Sequence, residues 1–165
     1  MVFETASGDK DRLAQNDRVS DQCFEPDEEL YRRVMHMHVI EGILSPLAFE
    51  SKPQSVNRAK YSRPMDVVHP ACCDGHDRSD WLVAVLLVED VRRSYRLEDG
   101  RVFVLFPKHT PKPSCYPHSE VWCNRQDEPS DAYQEPPKSI RRQIRLDLAQ
   151  AARLLPNATD GTQGI

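Results

Sequence analysis

A chain of 165 residues has room for one domain and its ends, not for two independent cores. Its 22 basic and 26 acidic residues leave a formal charge of −4, which supplies no global field for holding a phosphate backbone, so nucleic acid is not an expected partner. The longest apolar run, Leu82 to Val88, falls far short of the roughly 20 residues a bilayer-spanning helix needs, and no membrane association is expected.

The five cysteines, Cys23, Cys72, Cys73, Cys115 and Cys123, are odd in number, and the N-terminus lacks the basic-then-apolar layout of a secretion signal. Reduced thiols and a cytoplasmic location are the expectation.

Residues 1–30 hold nine acidic and three basic side chains and few large apolar ones, so residues 1–28 are expected to form an acidic arm without fixed structure. The domain is expected over residues 29–155, and residues 156–165, lacking any apolar period, as a flexible tail. From Leu30 to Val39 the apolar positions fit a helical face and an extended strand about equally. Glu41-Gly42 and Ser45-Pro46 read as turns, and Leu47 to Phe49 as a short insertion into the core.

Pro64 to His69 is predicted as a short helix ended by Pro70, followed by a polar loop over Ala71 to Asp80. Trp81 to Val88, rich in Val and Leu, is the strongest core signal and reads as a central strand, with a buried helix as the rival. Glu89-Asp90 opens a helix of one or two turns, and Glu98-Asp99-Gly100 turns the chain into a second strand at Val102 to Phe106. Pro107, Pro111, Pro113 and Pro117 then predict an extended surface connection, Ser119 to Cys123 an edge strand, and Asn124 to Pro137 an acidic loop. Ser139 to Leu155 is the clearest helix: Ile140, Ile144, Leu148 and Leu155 recur at helical spacing, Arg141, Arg142 and Arg145 lie outside that stripe or at its rim, Ser139 caps the start and Pro156 ends it. These elements predict an α+β domain, a small mixed sheet with short helices and a C-terminal amphipathic helix packed on it.

The one metal-like pattern pairs Cys73-x2-His76 with Cys115-x2-His118, four sulfur and nitrogen donors of the kind a structural zinc accepts. Neither pair is the stronger Cys-x2-Cys form, and chance pairings are many among five cysteines and six histidines, so no bound metal or cofactor is expected. His36 and His38 diverge on either a strand or a helix and form no ligand pair. The motifs of dinucleotide binding, phosphate-loop hydrolysis, zinc proteolysis and serine hydrolysis are all missing. Arg32-Arg33, Arg58 with Lys60, and the arginines of the C-terminal helix lack interleaved aromatic residues, which fits solvated surface or a face for an acidic protein better than a nucleic-acid groove.

Leu30-Tyr31-Arg32-Arg33, Ser45 to Phe49, Ser55-Val56-Asn57-Arg58 with Tyr61, Val83 to Arg92, and Pro117-His118-Ser119-Glu120 together resemble a family of small uncharacterised bacterial proteins. The resemblance spans residues 30–154, transfers no reaction and does not include Cys73 or Cys115. The same order of residue types also loosely resembles ADP-ribosyl-transferring enzymes. That resemblance implies Arg32 or Arg33 gripping a nicotinamide dinucleotide phosphate, Ser55 or Tyr61 in the middle, Glu120 steadying the reacting ribose, and His118 beside them as a hydrogen-bond donor. Arg33, Tyr61, His118 and Glu120 are therefore the candidate catalytic set if the chain is an enzyme. The leading expectation is a non-enzymatic binding or accessory protein of a bacterial system that recognises a protein partner through an apolar patch rimmed by charge, with homo-oligomerisation left open.

Overall fold

A computed structural model describes residues 6–50 and 52–156. Its strands are β1 (Glu29–Val34), β2 (Val39–Ile40), β3 (Ile43–Leu44), β4 (Gln54–Arg58), β5 (Leu82–Leu87), β6 (Arg93–Arg96), β7 (Val102–His109), β8 (His118–Arg125) and β9 (Arg153–Leu154). Its helices are α1 (Ala6–Leu13), α2 (Val88–Val91) and α3 (Lys138–Ala151), with short 3-10 turns between strands. The result is an α+β domain with α3 packed on a sheet of order β6-β7-β8-β4-β1-β5-β9, in which every pairing is antiparallel. β2 and β3 form a separate hairpin, closed by Glu41 (φ 52°) and Gly42 (φ 77°), a pair of left-handed residues whose twist suits a two-residue connection.

Alternation decides which face each strand buries. Leu30 and Val34 of β1, Val56 of β4, Ala84 and Leu86 of β5, Phe103 and Leu105 of β7 and Val121 and Cys123 of β8 share one face. Ile140, Ile144 and Leu148, four residues apart on α3, close over that face together with Phe49, Val88 and Val91. A smaller cluster on the opposite face packs Tyr31, Val83 and Val85 against Val67 and Val68.

Several local expectations change. Residues 30–34 are extended because β1 sits between β4 and β5, a tertiary fact that period alone could not supply. β8 is a central strand between β7 and β4, not an edge. β7 runs on through Pro107 to His109, which is tolerated because β6 covers β7 only as far as Leu105. α3 starts after Pro137 with no side-chain cap, so Ser139 does not cap it. It ends at Ala151 because Arg153 and Leu154 pair with Val85 and Ala84, giving the outer edge of β5 a ladder that a longer helix would have left unmade. Pro64–Val68 is a 3-10 turn, where Asp66 accepts from the Arg63 backbone.

The described part of the acidic arm is ordered against the domain, contrary to expectation. Leu13 is completely buried beside Cys72 and Cys115. Arg12 grips both oxygens of Asp66 at 2.9 and 2.8 Å, and Phe24 joins the main core. Few apolar residues suffice here because the buried Arg58 of the domain satisfies the arm's Glu28 and the carbonyls of Asp21 and Cys23, while the domain's Asp66 takes the arm's Arg12. Residues 1–5 of the expected arm and 157–165 of the expected tail lie outside the described residues.

The expectation of reduced thiols is also corrected. Cys72 and Cys115, both buried with Cα atoms 5.0 Å apart, form a disulfide. It joins the turn Pro70–Cys72 to the loop before β8, and spacing along the chain gives no sign that the two meet. Cys23, Cys73 and Cys123 are free thiols. Among the described residues, no helix is long and apolar enough to cross a membrane.

Candidate functional site

β1 and β4 are in register only at Leu30 with Arg58 and Tyr31 with Asn57, after which the strands part. β4 stays paired to β8 through Gln54, and β1 stays paired to β5 through Val34, so the sheet opens between its two halves. Arg32 bridges the opening: its Nη1 donates to the Ser55 carbonyl oxygen and its Nε to that of Ala48, each at 2.9 Å. A guanidinium thereby takes a carbonyl that a continued ladder would have paired.

A cleft of about 390 Å³ sits at this opening. Its walls bring Arg32 and Arg33 from β1, His38 after it, Leu47 and Glu50 from the next turn, and Arg78 with Trp81 from the loop leading to β5. Arg33 is held by its Nη1, which donates to the carbonyl oxygens of Cys72 at 3.1 Å and Val67 at 3.4 Å. The Arg78 guanidinium lies 4.8 Å from the centre of the Trp81 ring, a cation over an aromatic face. Burial, helped by the neighbouring Arg33, pushes Arg32 down to about 10. Arg33 is likewise lowered, first by burial, with Arg78 acting in the same direction. Like charges have been brought together and partly dried, and the only carboxylate on the walls among the described residues, Glu50, lies 4.0 Å from Arg145. Such a site favours an anion.

The four residues proposed for ribosyl transfer do not surround this cleft. Arg33 and Ser55 line it. Glu120 stands opposite Ser55 in the β4/β8 register, but its carboxylate accepts from Trp122 Nε1 at 2.8 Å. His118, paired with Asn57, is buried, and its Nδ1 lies 2.8 Å from the Thr110 carbonyl oxygen. A carbonyl can only accept, so Nδ1 carries the proton and donates to it, and Nε2 meets no hydrogen-bond partner among the described residues. Tyr61 lies in a different cluster, donating to Asp21 at 2.5 Å and packing against His109 and Tyr116.

That second cluster is internally satisfied. His109 Nδ1 accepts from the Asp21 amide at 2.8 Å and its Nε2 donates to Tyr116 O at 2.7 Å, which fixes a neutral ring. Hydrogen bonds from Tyr61 and then Lys60 hold the Asp21 carboxyl far below the usual carboxylate range. Its groups are spent on anchoring the arm.

The proposed zinc ligands also separate. The Cys115 sulfur is bonded to Cys72, and the Cys73 thiol donates to the Val67 carbonyl oxygen at 3.3 Å. His76 is exposed. Among the described residues, no three His, Cys, Asp or Glu side chains are grouped so as to hold a metal ion. Compared with protein-family models, curated proteins and solved structures, the chain matches none.

The functional reading therefore rests on the cleft's own chemistry. Sequence reasoning found Arg32, Arg33 and Ser55 but passed over Arg78 and Trp81, which also line the cleft. Their spacing, Arg78-x2-Trp81, resembles any exposed loop until the fold brings it to the cleft that Arg32 and Arg33 line.

Proposed function

We propose that this chain is a non-catalytic binding domain that recognises a partner protein through an acidic segment set among apolar residues, an accessory role of the kind expected in a bacterial cytoplasm. One observation carries the reading: Leu47 is both a wall of the arginine cleft and part of an exposed apolar ridge. Leu47 is 51% exposed, and Met37, Ile40 and Ile43 of the preceding turn and hairpin are exposed to 74, 65 and 70%. Ile40 and Ile43 are register partners on the β2/β3 hairpin, and Ile43 with Leu146 of α3 flanks a groove of about 500 Å³. Large apolar side chains presented beside a charged cleft form the composition of a docking surface, with a desolvated centre and a polar rim.

The experiment measures binding of fluorescently tagged peptide pools in which a central Glu or Gln is flanked by mixed aliphatic positions. The Glu pool is expected to bind better, and Arg78→Glu and Ile43→Asp should each weaken it about tenfold or more without lowering the melting temperature, tenfold being about 1.4 kcal/mol. Equal binding of the two pools, or indifference to both substitutions, would remove the support. Thermal stabilisation by a nicotinamide dinucleotide that disappears in Arg33→Ala would instead favour the ribosyl-transfer reading.

A further inference from the structure

We infer that the anionic group taken by the arginine cleft is a phosphorylated side chain of the partner. This rests on the binding reading above and names the chemistry of its central contact.

The first argument is charge. Among the described residues, the cleft is lined by three arginines and one carboxylate, Glu50, leaving two positive charges in formal excess. A carboxylate brings one negative charge, whereas a phosphate monoester brings between about 1.5 and 2 at neutral pH. Only the phosphate offsets most of the repulsion that burial has concentrated between Arg32 and Arg33.

The second argument is the supply of donors. Arg32 is spent on the Ala48 and Ser55 carbonyl oxygens and acts as a fixed positive floor. Arg33 uses Nη1 on Cys72 and Val67, which fixes the plane of its guanidinium while its Nε and Nη2 hydrogens meet no acceptor among the described residues. Arg78 has only the Trp81 ring against it, so its whole fork is open among the described residues. Two forks lining one cleft, one braced by backbone carbonyls and the other by an indole face, suit a group with three terminal oxygens better than one with two. An aliphatic residue next to the phosphorylated one would meet Leu47 and reach the hairpin ridge.

The test adds a third pool, with central phosphoserine in place of Glu or Gln, read by fluorescence anisotropy on the full chain. The phosphoserine pool is expected to bind about tenfold tighter than the Glu pool, the margin between a doubly and a singly charged fork partner. Arg78→Ala should abolish that preference. Arg33→Lys, which keeps the charge and loses the fork, should remove most of it, with the melting curve confirming that the variant is folded. Equal affinity for the phosphoserine and Glu pools would overturn the phosphate assignment while leaving the acidic-segment reading intact. Failure of both the phosphoserine and the Glu pools to outbind the Gln pool would overturn both.

Discussion

The guanidinium of Arg58, with no solvent exposure at all, donates from Nη2 and Nε to the carboxylate of Glu28 at 2.8 and 3.0 Å. The same group donates to the backbone oxygens of Asp21 and Cys23 and lies 3.8 Å from the centre of the Phe24 ring. One buried cation thus collects residues 21–28 and holds them across the end of β4. Every donor on it has a role, which is the condition under which a buried ion pair is tolerated.

Replacing Arg58 by Ala should cost about 3 to 5 kcal/mol, because the Glu28 carboxylate would be left half-buried without its counter-charge. Chemical denaturation measures the loss, and limited proteolysis should show new cleavage near residues 14–22. Arg58→Met combined with Glu28→Gln removes both charges and should recover a substantial part. No recovery would mean that the carbonyl contacts, and not the ion pair, hold the arm.

Leu148 is fully buried at the centre of the α3 stripe. Leu148→Ala keeps helix propensity and removes methyl groups from the core, so a loss of about 2 to 4 kcal/mol is expected. Gln143 is exposed and its side-chain amide donates to Asp147 at 2.8 Å, four residues on, so Gln143→Ala should change stability by a few tenths of a kcal/mol. Equal effects in urea melts would place the docking face of α3 elsewhere.

His109 and His118 are both held below the ordinary histidine value, in each case first by burial. For a base whose folded value is lowered, the unfolded chain binds the extra proton first. Stability is therefore full above about pH 6.5 and declines as pH falls below it, by up to about 1.4 kcal/mol per pH unit for each ring until the folded ring also titrates. His109→Gln should flatten the part of that slope due to its ring. A stability curve level from pH 7.5 to 5 would show that neither ring is buried neutral.

The Cys72–Cys115 bond closes a loop with a sequence separation of 43. Unfolded but unreduced protein should present three reactive thiols out of five to a chromogenic disulfide reagent, and all five after reduction. Reduction should lower stability by up to about 4 kcal/mol on the chain-entropy account. Five reactive thiols before reduction would contradict the bond.

Local pattern carries a fold as far as each segment's own neighbours specify it. The apolar stripe of α3, the strand at Leu82–Leu87 and the turn at Glu41-Gly42 were legible because the signal lies within a few residues: a period, a β-branched run, a residue pair suited to left-handed backbone. The order of the arm was not legible. It depends on Arg58 and Asp66, which lie well outside the arm in sequence and look like surface charges until the fold buries them.

The candidate site divides in the same way. Arg32 and Arg33 stand out in the sequence as a cationic pair, but their partners are chosen by where β1 and β4 separate. Tyr61, His118 and Glu120, ordered suggestively along the chain, are drawn apart by register and by hydrogen bonds to Asp21, Thr110 and Trp122. By itself the sequence determined the periodic elements, the α+β class and the charges available. Only the tertiary structure decided which charges were buried, which cysteines met and which arginines faced one cleft, because those outcomes depend on contacts between segments whose separation in sequence carries no information about their distance in space.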